Sequence, residues 1–300
     1  MTRLPNRKSS SSVQTRVRIR PARASDKEQV LDFCKNTWPS GDYIPQVWDD
    51  WIRDKKGRLL VAEYNKTPIG IAHAYFQTRK IAWLEGVRIH PSFRGQGLAG
   101  RLNKALTRYV TQEGATVARL CTGSSNLASR RHLDKTGFKL SERFQRLKAD
   151  RPLGNPVRGV KRPRKFNPQV WHWVTSRPEF EKSHHTFSDG WTWYPLDLNA
   201  FTRFVSQRGV ICTGSAPISS CSLFSREEGR LTLGFTAGNP EDISLHGKYL
   251  LNAAAKGGDR VRALVPKGTR LVRALESAGF EKSGTILVYE KQLTSKVQKS

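Results

Sequence analysis

The period of the hydrophobic positions changes several times along the chain, and each change marks an element. Val17-Arg18-Ile19-Arg20 alternates as a short strand does. Pro21 follows, and Ser25-Asp26 supplies an N-cap for a helix carrying Val30, Leu31, Phe33 and Cys34. Pro39, Gly41 and Pro45 predict a loop before a short helix with Trp48 and Trp51 on one face. Residues 59–64 predict a strand, 65–68 a turn, and 69–76 and 81–89 two further strands of an antiparallel meander. After Gly97 the spacing turns helical, with Leu98, Leu102, Leu106 and Val110 at i+4 steps, and Gly114 ends the helix. Residues 117–122 form the next strand, parallel to its neighbour because a helical crossover precedes it. Ser125 and Asn126 open a helix ending at Gly137-Phe138, and 139–150 reads as a closing strand.

From about Asn167 the order of elements repeats. Strands at 210–213, 218–224 and 230–235 precede a helix at 244–255, a strand at 261–265, a helix ending at Gly279-Phe280, and a strand at 285–291. Gly279-Phe280 mirrors Gly137-Phe138. The division expected from this repeat is a disordered basic tail over 1–15, a first domain over 16–150, a basic linker over 151–166, a second domain over 167–293, and a tail over 294–300. The fold class is α/β, or α+β with a mixed sheet, in two units.

Charge adds a question about partners. Lys+Arg number 52 against 25 Asp+Glu, a net charge of +27. Between Arg143 and Lys165 nine basic residues accompany a single acid, Asp150. That linker is a candidate surface for nucleic acid or a ribosome, and equally a solvated tether. No zinc-finger, RRM or KH signature marks a dedicated nucleic-acid module. No apolar run reaches the length of a membrane span, and residues 1–14 lack the apolar core of a secretory signal, so a cytoplasmic protein without membrane contact is expected. The four cysteines are scattered without metal spacing, which suits reduced thiols and no metal. Cys121 has nothing to activate it and reads as a buried strand residue.

The chemistry concentrates in Arg94-Gly95-Gln96-Gly97-Leu98-Ala99. Small residues let a ligand approach the backbone, and the first amides of a helix have no intrahelical partner. A strand, this turn and a helix start therefore make a phosphate or pyrophosphate site. No Gly-Lys-Ser/Thr follows, which excludes a P-loop, and the third glycine of the dinucleotide fingerprint is missing. The pattern Arg-x-x-Gly-x-Ala after Val-x-Ile-x-Pro resembles the acetyl-CoA signature of the GNAT acetyltransferase superfamily. Ile-Arg-Pro-Ala near the start, and Asn126 spaced before Gly137-Phe138, resemble that family too.

This resemblance implies a tandem GNAT fold. Each unit would be a mostly antiparallel sheet whose parallel central strands splay apart, flanked by helices. It implies acetyl-CoA as co-substrate and direct transfer of the acetyl group to an amine acceptor. The amides from Gly95 through Gln96, Gly97, Leu98 and Ala99 to Gly100 would hold the pyrophosphate, together with Arg94. The strand Val87-Arg88-Ile89 would supply backbone donors, and Asn126 would sit by the pantetheine arm. Asp42, Tyr43 and Trp83 are the substrate-side candidates, Asp42 and Tyr43 being equally readable as turn and packing residues.

By the period of two, Trp83, Glu85, Val87 and Ile89 share one strand face, which makes Glu85 the candidate base. Glu85 paired structurally with an arginine is the rival reading. The family's thiolate-protonating tyrosine falls at Leu133, so His132 and Tyr43 are the remaining candidate acids. The second copy has no Arg-x-x-Gly-x-Gly, and Glu241 and Asp242 stand where phosphates would arrive, so it reads as degenerate.

Gly-Asp-Tyr-Ile-Pro, Leu-Glu-Gly-Val-Arg and Arg-Gly-Gln-Gly-Leu-Ala, followed by that second half, are similar in layout to the histidine N-acetyltransferase group. That implies a free amino acid or other small amine as acceptor. Other readings are a protein amine as acceptor, and a non-catalytic basic GNAT-fold protein that binds RNA, ribosomes or another acidic partner.

Overall fold

The computed structural model describes residues 17–35, 37, 41–149, 157–214, 217–227 and 229–294. The expected tails, 1–15 and most of 294–300, and the linker up to residue 156 lie outside them. The described residues group into two compact units. One holds residues up to Leu120, Arg131–Lys139 and those from Glu290 onward; the other holds Cys121–Arg130 and Leu140–Tyr289.

The first unit contains β1 (Arg18–Pro21), α1 (Lys27–Cys34), α2 (Ile44–Arg53), β2 (Arg58–Tyr64), β3 (Thr67–Phe76), β4 (Ile81–Ile89), α3 (Leu98–Gln112) and the start of β5 (Val117–Gly123). From Arg131 the helix α4 (Leu127–Lys135) belongs to it as well. Strands β1 to β4 pair antiparallel in sequence order, and β4 pairs β5 in parallel. On one face α1 and α2 bury Val30, Phe33, Ile44 and Trp48 against Leu59, Val61 and Ile71. On the other lies the i+4 stripe of α3, where Leu98, Leu102, Leu106 and Val110 are all buried.

Asp26 does not cap α1 with its side chain. Its carboxylate instead accepts two 2.7 Å bonds from the Arg20 guanidinium, and Arg20 also donates to Glu63 at 2.6 Å. Buried Asp26 and half-buried Glu63 around one arginine thus join β1, β2 and the helix start.

Two details of β4 position the site. Pairing with β5 covers only Ile81, Ala82 and Trp83 against Val117, Ala118 and Arg119, so β4 from Leu84 onward runs free of β5. Against β3, Ile71 faces Arg88 and His73 faces Glu85, so Gly86 and Val87 together oppose Ala72. This is a β-bulge, with Gly86 at φ +69°. The bulge flips the alternation. Glu85 and Arg88 lie on the face of His73 and Ile71, while Val87 and Ile89 take the opposite face. The expected sharing of one face by Glu85 and Val87 therefore fails, because period-two counting holds only in an unbulged strand.

The second unit comprises β6 (Lys139–Ala149, from Leu140), α5 (Pro168–Thr175), α6 (Pro178–Lys182), a hairpin of β7 (Thr186–Asp189) and β8 (Thr192–Pro195), α7 (Leu198–Ser206), β9 (Val210–Gly214), β10 (Ile218–Glu227), β11 (Arg230–Gly238), α8 (Pro240–Ala255), β12 (Arg260–Pro266), α9 (Arg270–Ser277) and β13 (Glu281–Gln292, to Tyr289). Its strand order is β13-β6-β12-β11-β10-β9, with β11 parallel to β12. This pair also stops early, at Leu233 with Ala263, repeating the parting of β4 from β5.

Repeat and compact unit do not share boundaries. Strand β6, which closes the first repeat, pairs with β12 over residues 144–149. The chain end returns to the first unit, where Glu290 accepts from Arg119 at 2.8 Å and the Leu293 amide donates to Thr116. Part of the basic linker is occupied locally: Lys161 bridges to Cys212, and the Arg162 guanidinium donates to the Arg208 carbonyl and lies over Phe224. The cysteines are less scattered than their spacing suggests. Cys212 and Cys221 pair directly across β9 and β10, and a hydrogen bond with Cys212, plus burial, holds the Cys221 thiol well above its ordinary pKa. Cys121 is half-buried rather than buried, and its thiol donates to the Trp191 carbonyl at 3.0 Å.

Candidate active site

The free edge of β4 leads through residues 90–97 into α3. Pro91–Phe93 form a 3-10 turn, and buried Phe93 anchors it. The Arg94 guanidinium returns to the Ile89 carbonyl at 3.2 Å. Gly95 and Gly97 both have positive φ, +78° and +75°, and Gly97 is the left-handed N-cap of α3. Around Gly95 an added Cβ would meet nothing within 4 Å, so the turn is an open cradle. The amides of Leu98, Ala99 and Gly100 follow it at the positive end of a 15-residue helix with no acid in its first turn. This donor set fits a pyrophosphate.

One wall of that cradle is His132. An added Cβ on Gly100 would stand 2.8 Å from His132 Cε1, and the imidazole shares a 3.3 Å bond with buried Asn103. Burial lowers the His132 pKa, so the ring is neutral at pH 7. Leu133, at the family's tyrosine position, is buried in the core. His132 thus lies by α3, on the face opposite to Glu85. Asn126, in the second unit, accepts from the Ser129 amide at 3.1 Å as a cap of α4.

On the α2 face Glu85 meets a group that the sequence reading left unassigned. The buried ring of His73 lies 3.1 Å through Nδ1 from Glu85 Oε1, and its Nε2 points toward Asp54 Oδ2 at 3.7 Å. Trp51 stacks on that ring with centroids 4.4 Å apart. Trp51 also fills the space above Gly86, where an added Cβ would come within 2.4 Å of its ring. The signal was present: antiparallel pairing of residues 69–76 with 81–89 sets His73 opposite Glu85. The arginine-paired alternative for Glu85 does not occur among the described residues; its neighbour is an imidazole.

Arg88 is committed elsewhere. Its guanidinium donates to both Asp42 oxygens, at 2.6 and 3.0 Å, and lies 5.2 Å from the Tyr43 ring centroid. Burial would raise the Asp42 carboxyl, but the Arg88 guanidinium outweighs it and holds the pKa below the ordinary value. Asp42 also accepts from the Ile44 amide at 3.2 Å. With its side chain only 1% exposed, Asp42 clamps the loop before α2 and offers no surface to a substrate. Tyr43 is 43% exposed and packs edge-on to Trp51. Trp83 is 1% exposed, beside Tyr75 in the register, and is a packing residue rather than a substrate contact.

The second unit lacks this equipment. Its parallel pairing sets Gly234 of β11 at the place of Glu85 in β4. Backbone covers it, since an added Cβ there would stand 1.9 Å from the Ser188 carbonyl oxygen. Asn239 alone separates β11 from α8, whose first turn carries Glu241 and Asp242. The phosphate-binding loop is missing from this copy.

Residues 26–138 match the acetyltransferase (GNAT) family model. Over 84 residues the chain is 29% identical to histidine N-acetyltransferase of Xenopus tropicalis, a match covering 28% of this chain and 26% of that protein. The matched segment is about a quarter of that curated relative's length. Among solved structures, a GCN5-related N-acetyltransferase from Sphaerobacter thermophilus superimposes with TM-score 0.65 at 15% identity, covering 92% of this chain and 96% of that one. A tandem GNAT protein from the clavulanic acid biosynthesis pathway gives TM-score 0.56 at 14% identity, covering 92% and 98%. The fold is accordingly that of a tandem GNAT protein. Within it, residues 26–138 carry the match to the acetyltransferase (GNAT) family model.

Proposed function

We propose that the first unit transfers an acetyl group from acetyl-CoA to a small primary amine, and that the second unit is a non-catalytic copy. The observation that carries this reading is one strand, β4, that holds a His73-backed carboxylate before its bulge and runs directly into an open phosphate cradle after it. Gly95, Gly97 and the amides of Leu98–Gly100 would hold the pyrophosphate of acetyl-CoA, which supplies a reactive acetyl thioester. The backbone of β4 beyond Leu84, unpaired on its β5 side, offers donors for a developing oxyanion.

An amine arrives as an ammonium ion and must lose a proton before it can attack a carbonyl carbon. Glu85 accepts that proton, and His73 fixes the carboxylate from one side. Asp54, beyond His73, adds a second negative charge that favours a cationic substrate. Tyr43 and Trp51 present aromatic surface, and Tyr43 is the hydroxyl left to return a proton to a leaving thiolate. The acceptor class follows the Xenopus relative in kind, a free amino acid or similar amine. The division into an active domain over 16–150 and a degenerate domain over 167–293 is part of the same proposal.

The test is thiol release from acetyl-CoA against a panel of amines and short peptides. The expected result is turnover with small amines that Glu85→Gln strongly reduces without weakening acetyl-CoA binding. Turnover unchanged by Glu85→Gln removes the proposed base.

A further inference from the structure

The second unit carries a feature that transfer chemistry in the first does not use. Arg146 and Lys148 of β6, Arg260 and Arg262 of β12, and Arg230 of β11 line one cavity of about 670 Å³. The register puts them on one sheet face. Lys148 is opposite Arg262, Arg146 is opposite Leu264, and Arg230 pairs with Arg260. The opposite face of the same strands holds Val261, Ala263, Leu147 and Leu231, buried under α8 and α9.

Among the described residues no carboxylate forms an ion pair with Arg230, Arg260 or Arg262. Asp259, the acid in the described lining, is held by Arg226 at 2.8 Å. Glu227 stands across from Arg230 in the β10–β11 register and makes no ion pair with it. Arg146 spends its donors on neutral groups, Ser283 Oγ at 3.1 Å and the Ser283 carbonyl at 2.6 Å. Burial, then the charges of Arg230 and Arg146, push Arg262 down to about 10, and the charge of Glu227 only partly offsets them. Like charges held this close raise the free energy of the folded unit. An anion in the cavity removes that repulsion and gains forked guanidinium hydrogen bonds.

We propose that this cavity binds a compact oligophosphate, an anion carrying several phosphoryl groups such as the polyphosphate of a nucleotide. The cations converge from three adjacent strands, a span of roughly 10 Å. That matches a small ligand in a concave pocket better than a polymer tracking along a surface. The site lies at the N-terminal ends of β11 and β12, remote in sequence from the cradle at Gly95–Gly100.

Inorganic tripolyphosphate is the probe, with thermal unfolding as the readout. At about a hundredfold excess over its Kd it should raise the Tm of the full chain by roughly 5 °C or more. Arg230→Gln with Arg262→Gln should abolish the shift, and should raise the ligand-free Tm because repulsion is relieved. Lys104→Gln with Arg108→Gln, the same charge change on α3, should keep the shift, and so should Gly97→Glu. No shift in the natural protein, or an equal shift in the Arg230/Arg262 variant, overturns the proposal. A shift lost in Gly97→Glu would assign the anion to the first unit and overturn it too. Single-stranded RNA binding that depends on Arg230 and Arg262, with no effect of tripolyphosphate, would replace it with a polymer surface.

Discussion

Glu85 and Gly86 are adjacent and do opposite work. Glu85→Gln keeps the shape and removes the base, so kcat should fall by roughly 10²- to 10⁴-fold. The deficit should narrow as pH rises toward the pKa of the amine, because the substrate then deprotonates in solution. Rate measured against pH in both proteins checks this, and a constant deficit would contradict it. Gly86→Ala should instead cost stability, at least about 2 kcal/mol, from a positive φ and a methyl forced into Trp51. Urea unfolding reads that cost directly. Glu85 was legible as a residue of β4, although the pattern set it on the face of Val87, which the bulge at Gly86 reverses. Asp42 and Trp83 were not, since a sequence shows that a carboxylate or an indole is near a site but not that Arg88 or the core has already taken it.

At the scale of elements, a bulge and a clamp decide the geometry. Strand β4 was legible from end to end, while the face of each residue after Gly86 was not, because one extra residue inverts the alternation. The clamp joins β4 to the loop before α2 through Arg88 and Asp42. Asp42→Ala leaves a largely buried guanidinium without its partner, at a cost of about 3 kcal/mol or more. It also frees Tyr43, so the KM for the amine should rise more than that for acetyl-CoA. Steady-state kinetics with each substrate varied in turn separates the two. A similar rise in both would mean that the clamp serves the whole unit rather than the acceptor side.

For the whole molecule, the repeat was readable from the order of elements, but its partition into compact bodies was not. Strand β6 and the chain end take partners outside their own repeat, and long-range pairing leaves no local trace. The second unit also carries an acid-sensitive core. His246, fully buried, shares 2.8 Å bonds with Ser222 and Thr213, and burial lowers its pKa to about 4. The folded state keeps this ring neutral, whereas the unfolded chain protonates it near its ordinary value of about 6.5. The unfolded state therefore binds the extra proton, and stability present above pH 6.5 is lost as pH falls toward 4. Unfolding measured across that window should show the slope, and His246→Gln should flatten it. The described helices include none long and apolar enough to cross a membrane.

Titration calorimetry reads directly whether the cradle on α3 binds acetyl-CoA. Saturable binding should appear in the natural protein and in the Arg230→Gln/Arg262→Gln variant. It should vanish in Gly97→Glu, which sets a side chain and a negative charge at the N-cap where phosphate amides converge. Undiminished binding in Gly97→Glu, or none in the folded natural protein, would rule out this turn as the acetyl-CoA site.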